Sequence, residues 1–591
     1  MIYELLPAEH RIRDAELGHP LRALLEPIEA EYQRLRSGID GRYADLFVET
    51  CSAEVLPLIG ALLAVDDGGV VARGSVANAV RVRRAEGTAA GLARAVRDAT
   101  GWAAHVVESL PLLASTQHVN YRRPAAVRTP DVRDPDRGGP SFRSVAVRGP
   151  YRPDHVQVHV HRIEAQPACG LRPGAVSDRP WAWTFDPAGR DRQLYVRADP
   201  PIPLDHRTLR RLARAGELDT ALRIVLQDGP VAMARVRSAD LGTWVRPADD
   251  TVAVDPVRGR FALGSAVTKL GGIRVDVAFG GAGDIGAGPG EHRALLAAAD
   301  APLPTSPEWQ FVVADGRTLT DAVSAWDARA GTAPGTTGVI RILDSVTQPG
   351  PVAFTAAAGE HLIVVAADGA CPYVDGGVTV TGDVVLAGLR VRGAVAVSDK
   401  GAPSLVLVGC TVGGVTVGAT RTRLHRCVTS ALSVPAGVRC ALSISESVVQ
   451  SSGIDAPAAD VVLDAVTLFG SLSARTLTAT DSILLEPPNL GGPGTLSHSY
   501  APPGGGTLRR AHCRPEGDPS AVPRFASTAP DDPAFGQLSP VCPDSIARGA
   551  RDGEEMGAYR FLRRPAGLDH LRAQFDRHLR LGLTADVTFA T

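Results

Sequence analysis

None of the eight cysteines, Cys51, Cys169, Cys371, Cys410, Cys427, Cys440, Cys513 and Cys542, belongs to a C-x-x-C pair. Zinc ribbons and dithiol redox motifs are therefore not expected. Long apolar runs are missing too: no stretch reaches the roughly eighteen apolar residues of a membrane span, and Met1 to Leu17 carries charges throughout, unlike a signal peptide. Nor does one sign of charge dominate. With 62 Lys plus Arg against 64 Asp plus Glu the net charge is -2, so nucleic acid and membrane surfaces are not favoured as main partners. Aromatics make up only 5% of the chain, whereas Gly (62) and Pro (45) are abundant, a composition of turns and tight rungs rather than of a helical enzyme. A soluble protein made in the bacterial cytoplasm is expected. Its 591 residues should form several domains, each with its own core.

What is present starts with helices. From Asp14 onward Leu17, Leu21, Leu24, Leu25 and Ile28 fall on one side of a helix, with Pro27 as a kink point. Ser75 to Trp102 reads as a helical hairpin. Ser75 is the expected N-cap of a helix carrying Val76, Ala79 and Val80, and Gly87 takes the left-handed conformation that ends it. Thr88 caps the second helix, in which Leu92, Ala95, Val96 and Ala99 form one apolar stripe, and Gly101 stops it. Arg128 to Pro153, rich in Gly, Pro and Asp, marks a domain boundary.

The segment Arg83-Arg84-Ala85-Glu86-Gly87-Thr88, with a helix ending Thr100-Gly101-Trp102, resembles the tail protein I family of contractile-tailed phages and the related wedge proteins of contractile injection systems. Upstream, Tyr43 to Phe47 and Glu54 to Leu63 are similar to the same family's preceding segment. Thr251 to Leu263 (TVAVDPVRGRFAL), turning at Asp255-Pro256, and the acid-glycine loop Phe279 to Gly286 extend the likeness. Asp552-Gly553-Glu554-Glu555-Met556-Gly557-Ala558-Tyr559, with the helix and strand that follow, carries the most specific resemblance.

Two local patterns point to chemistry and are read otherwise. In His155 to His161 (HVQVHVH) the valines face one way and the histidines the other; histidines two apart on a strand can chelate zinc, but Asp154 and Glu164 have the opposite parity, and a half-exposed strand accounts for the alternation. Gly281-x-Gly283-x-x-Gly286 matches the dinucleotide fingerprint, yet Gly288-Pro289-Gly290 interrupts the helix that would have to start there. No cofactor and no metal are expected.

From Val339 to Leu485 the chain repeats. Leu386, Leu407, Leu424, Ile444, Leu463 and Ala479 recur every 16 to 21 residues, each three residues before a short strand, the pattern of a parallel β-helix with Cys410 stacked above Cys427. Arg426, Glu446 and Asp481 fall in one column, with Ala465 between the acids, a surface ion pair rather than the paired carboxylates of glycosidic cleavage. Asn489 to about Pro540 reads as an irregular return segment. At the end, Asp552 and Glu555 have capping-box spacing, and Leu568, Leu571, Phe575 and Leu579 form a narrow helical seam that stops at Gly582.

The fold expected is multidomain α+β: a helical tail-protein-I-like domain (1–123), a β-rich wedge domain (124–300), an inserted parallel β-helix-like domain (301–490), and a return segment with a C-terminal assembly helix and strand (491–591). The resemblance implies a structural, non-enzymatic baseplate wedge protein that meets other wedge subunits, sheath and spike-hub proteins in a ring-shaped hetero-oligomer, without nucleic acid or membrane insertion. Gly87, Thr88, Leu92, Val96, Leu568, Leu571, Phe575 and Leu579 are then the candidate partner-binding residues. A tailspike-like protein that binds or degrades carbohydrate is the alternative; Phe354, Tyr373 and Phe469, the aromatics between Val339 and Leu485, offer little for stacking sugars.

Overall fold

The computed structural model describes residues 3–108 and 155–589, apart from short internal stretches, the longer ones at 66–72, 330–335 and 398–403. The expected boundary at 128–153 lies outside the described residues. The chain divides into two compact units: residues 1–160 with 567–588, and residues 161–566 with 589–591. The C-terminal helix (Arg564–His578) and strand (Thr584–Phe589) thus fall mainly with the N-terminal helices rather than with the return segment.

In the first unit, a short helix (Ala8–Glu16) precedes a long one (Pro20–Ala44). The single helix expected from Asp14 is broken there, and Asp14 caps the new start: its carboxylate accepts the backbone N–H groups of Leu21 (2.6 Å) and Arg22 (3.2 Å). Pro27 sits inside the long helix. Helices Leu56–Leu62, Arg73–Arg84 and Ala89–Thr100 follow. Ser75 lies within its helix rather than capping it, and Val82, not Val80, joins Val76 and Ala79 inside. The Thr88 cap is formed, its hydroxyl accepting the Gly91 N–H at 3.0 Å. Gly91 allows the two helices to approach, since a Cβ there would run into the Ala85 carbonyl.

The second unit joins a small β body to a solenoid. In the body, strands Gly174–Val176, Arg179–Thr184, Arg260–Leu263, Val252–Asp255 and Val236–Ser238 lie side by side in that order. The hairpin at Asp255-Pro256 forms as expected, with Val252 opposite Leu263. Buried Asp255 fixes its turn by accepting from the N–H groups of Val257 and Arg258, both at 3.1 Å, and of Leu241 at 2.9 Å. A second sheet contains Glu164–Leu171, Arg274–Gly281 and Leu222–Leu226. A 3-10 turn (Met233–Arg235) leads into the strand Val236–Ser238.

The solenoid is a single sheet of 23 described strands from Trp309–Val313 to Leu508–Ala511, all neighbours parallel in the registers observed. Leu386, Leu407, Leu424, Ile444, Leu463, Ala479 and Leu496 pair in one column and are buried along its axis. Stacking continues past the expected limit, through Gly494–Ser497 and Leu508–Ala511, so the start of the supposed return segment is further rungs. At the far edge, exposed Arg509 and Arg510 discourage further strand pairing.

At the near end the apolar axis would be open to water without a lid. Helix Leu319–Asp327 supplies it: Thr318 and Asp321 form a capping box, and Leu319, Ala322 and Trp326 join the solenoid core. The Trp326 indole also donates to the Thr355 carbonyl at 2.6 Å. Trp326→Ala should cost about 3–5 kcal/mol, read as an earlier thermal unfolding transition of the purified chain; an unchanged transition would show the lid to be dispensable.

Candidate assembly surface

Four of the eight sequence-derived contact residues are turned inward. Leu92 is 4% exposed, Val96 0%, Leu571 0% and Phe575 6%, and Leu568 and Leu579 are half-buried. Gly87, at φ +73°, lies against the end of the C-terminal helix: its N–H donates to the His578 carbonyl at 3.2 Å, and its Cα faces the Arg580 side chain. Thr88 is exposed but serves its own corner, its hydroxyl donating to the Ala85 carbonyl at 2.7 Å. The amphipathic seams were legible as faces that need burial, and the chain itself supplies that burial.

The exposed apolar face lies elsewhere. Along the 25-residue helix Pro20–Ala44 and the turn after it, Leu24, Ile28, Tyr32, Leu35, Ile39, Tyr43 and Leu46 are all exposed, Leu35 by 62% and Ile39 by 65%. Leucine, isoleucine and tyrosine repeat at a separation of eleven residues: Leu24 with Leu35 and Leu46, Ile28 with Ile39, Tyr32 with Tyr43. Eleven residues make three turns at about 3.67 per turn, so the stripe runs nearly straight along the helix and suits a long helical partner with slight right-handed winding. Most helical stability in proteins comes from packing of an amphipathic face, yet none of the described residues of this helix is buried. The repeat could have been found in the sequence by comparing residues eleven apart.

On the solenoid, Arg426, Glu446, Ala465 and Asp481 occupy one corner column, each in the left-handed region. Both acids are neutralised. Glu446 receives Arg426 at 2.6 Å, and fully buried Asp481 meets the guanidinium groups of Arg551 (3.0 Å) and Arg560 (3.3 Å). Two flanking segments fasten here. From one side, the Gly286 N–H donates to the Arg426 carbonyl at 2.7 Å and the Ala287 N–H to the Thr411 hydroxyl at 2.9 Å. From the other, the Gly557 N–H donates to the Asp481 carbonyl at 2.7 Å and the Ala558 N–H to the Thr467 hydroxyl at 3.0 Å.

The acidic run 552–555 does not start a helix. Gly553 and Gly557 adopt positive φ, and Asp552 pairs with Arg560 at 2.8 Å. Glu555 is buried near Arg564 (3.6 Å); burial pushes its carboxyl up, against the pull of Arg564 and Arg162. Burial, with Arg564 adding like charge, lowers Arg162 to about 9. These are features of a closed structural joint.

In the strand His155–His161, Val156, Val158 and Val160 are buried as the alternation predicts. Among the described residues no cluster of His, Cys, Asp or Glu could hold a metal ion. The helix after the glycine-rich loop begins at His292, well beyond Gly286, and Gly283 lies outside the described residues. The helix His206–Ala215, not anticipated although Asp205 and Gly216 signal its two ends, exposes Arg207, Arg210, Arg211 and Arg214. Among the described residues no helix is long and apolar enough to cross a membrane. Comparison with protein-family models, with curated proteins and with solved structures finds no match.

Leu571→Asp or Phe575→Asp should destabilise the first unit by about 4 kcal/mol or more, because an unpaired carboxylate would be buried. Loss of helical circular dichroism ahead of the β signal on heating would check this; a helical transition at the wild-type temperature would contradict it.

Proposed function

We propose that this chain is a structural wedge component of the baseplate of a phage-tail-like contractile injection system, joining spike hub and sheath and holding the state before contraction. The observation that carries the reading is the unpartnered eleven-residue stripe on Pro20–Ala44, a face built for a helix from another subunit. The Gly87-Thr88 corner, the VDPV hairpin and the DGEEMGAY segment supply the likeness to wedge proteins. In this reading the long helix enters a helical bundle with other wedge subunits, and the solenoid is a rigid scaffold.

The tailspike alternative gains nothing from the carboxylates of the solenoid, since Glu446 and Asp481 are held by arginines instead of standing free as an acid and base. Leu24→Asp with Leu35→Asp tests the assembly reading. Both side chains are exposed, so each change should move the stability of the isolated chain by no more than about 0.5 kcal/mol. Cells making only this variant should then form no sheathed particles. Particles at wild-type abundance would overturn the reading.

A further inference from the structure

A second polar site lies in the second unit, on the strands that follow the solenoid corner. Asp186 to Arg192 of the β body, Tyr373, Arg390 and Thr411 on successive solenoid rungs, and Pro530 to Asp532 enclose a cavity of about 90 Å³. A single water needs roughly 10–15 Å³ on this measure, so the space admits a polyatomic group.

Its charges are unevenly answered. Arg190 is paired with Asp531 (3.1 Å) and Arg392 with Asp375 (3.0 Å), while Asp532 accepts the Ala534 N–H at 2.8 Å. Arg192 and Arg390 share one buried carboxylate, Asp186, and only at 3.6 and 3.7 Å, because its other oxygen is taken by the Ala188 N–H at 2.7 Å. Two largely buried guanidinium groups therefore face one acid. Burial and the like charge of Arg390 bring Arg192 down to about 10.

Tyr373 is 2% exposed, and its hydroxyl has no hydrogen-bond partner among the described residues. The Nε of Arg390 is likewise buried and without one. Burial raises the Tyr373 hydroxyl further above its ordinary range, so it keeps its proton. The unanswered groups are thus donors. A ligand that completes them has to offer acceptors, and the two arginines that share Asp186 favour one that carries negative charge.

We propose that this cavity binds a small oxyanion, phosphate or sulfate in type, with Arg390 and the Tyr373 hydroxyl as its donors and Arg192 as the second cation. The anion would tie the β body, the solenoid flank and the 530–532 segment together. The reading is independent of the assembly role.

Titration calorimetry of the full chain with inorganic phosphate, sulfate and a sugar phosphate, each against chloride at equal ionic strength, tests it. Saturable binding of phosphate or sulfate is expected; binding of the sugar phosphate alone would place the oxyanion on a larger molecule. Arg390→Ala should weaken binding at least about tenfold. Tyr373→Phe removes only the hydroxyl and should weaken it about fivefold with an unchanged melting temperature in chloride, which decides the matter if the arginine variant does not fold. No binding beyond chloride by any of the three, or wild-type affinity in Tyr373→Phe, would overturn the proposal.

Discussion

Each rung of the solenoid from Gly388 onward turns one corner through a residue held at positive φ: Gly388, Gly409, Arg426, Glu446, Ala465, Asp481, His498 and His512. For residues other than glycine this conformation costs about 1–2 kcal/mol each. The cost is offset by a continuous ladder in which each corner N–H from Gly388 to His498 donates to the next rung, as from Arg426 to the Ser445 carbonyl (3.0 Å), Glu446 to Asp464 (2.9 Å) and Asp481 to Ser497 (3.1 Å). Just inside the corner, small polar and thiol side chains close the ladder. The Ser447 hydroxyl accepts from the Cys427 N–H, Ser482 from Val466 and Ser499 from Ser482, at 2.9 to 3.1 Å. Cys410 and Cys427 do stack, and both thiols point to carbonyls of their own or the neighbouring rung.

That corner is also where the rest of the second unit attaches. Because its carbonyls and hydroxyls are presented at fixed spacing, two distant segments, Gly286-Ala287 and Gly557-Ala558, bond to it through backbone N–H groups. Arg426 stacks on Phe561 at 3.7 Å, and the Tyr559 hydroxyl donates to the Phe535 carbonyl at 2.9 Å. Glu446 and Asp481 are spent on joints at this covered flank, and under the assembly role we propose the functional weight falls on the helical unit.

The repetitive part of the fold was the most legible. Periodicity at Leu386 to Ala479 fixed the column, since a one-residue slip would turn every apolar side chain outward. Rungs beyond Asn489 were hidden because Gly and Pro dominate there and the repeating aliphatics thin out to Leu496. Capping-box spacing at Asp552 and Glu555 misled, since Gly553 and Gly557 impose positive φ and burial draws Glu555 towards Arg564. The seam at Leu571 and Phe575 was read correctly as a face to be covered, but amphipathicity does not tell what covers it. For the same reason the long helix could be read as a packing or assembly helix, and its eleven-residue repeat was there to be found, but only burial shows that this face is the one left exposed. The arginine-tyrosine cavity left no local signal, since Asp186, Arg192, Tyr373 and Arg390 meet only through the fold.

Negative-stain microscopy of lysates from source cells with and without this reading frame addresses the assembly role most directly. If the chain is a baseplate wedge, the deletion yields no sheathed particles and complementation restores them. Intact sheathed particles in the deletion, lacking at most a peripheral density, would contradict that role and make the solenoid the functional centre.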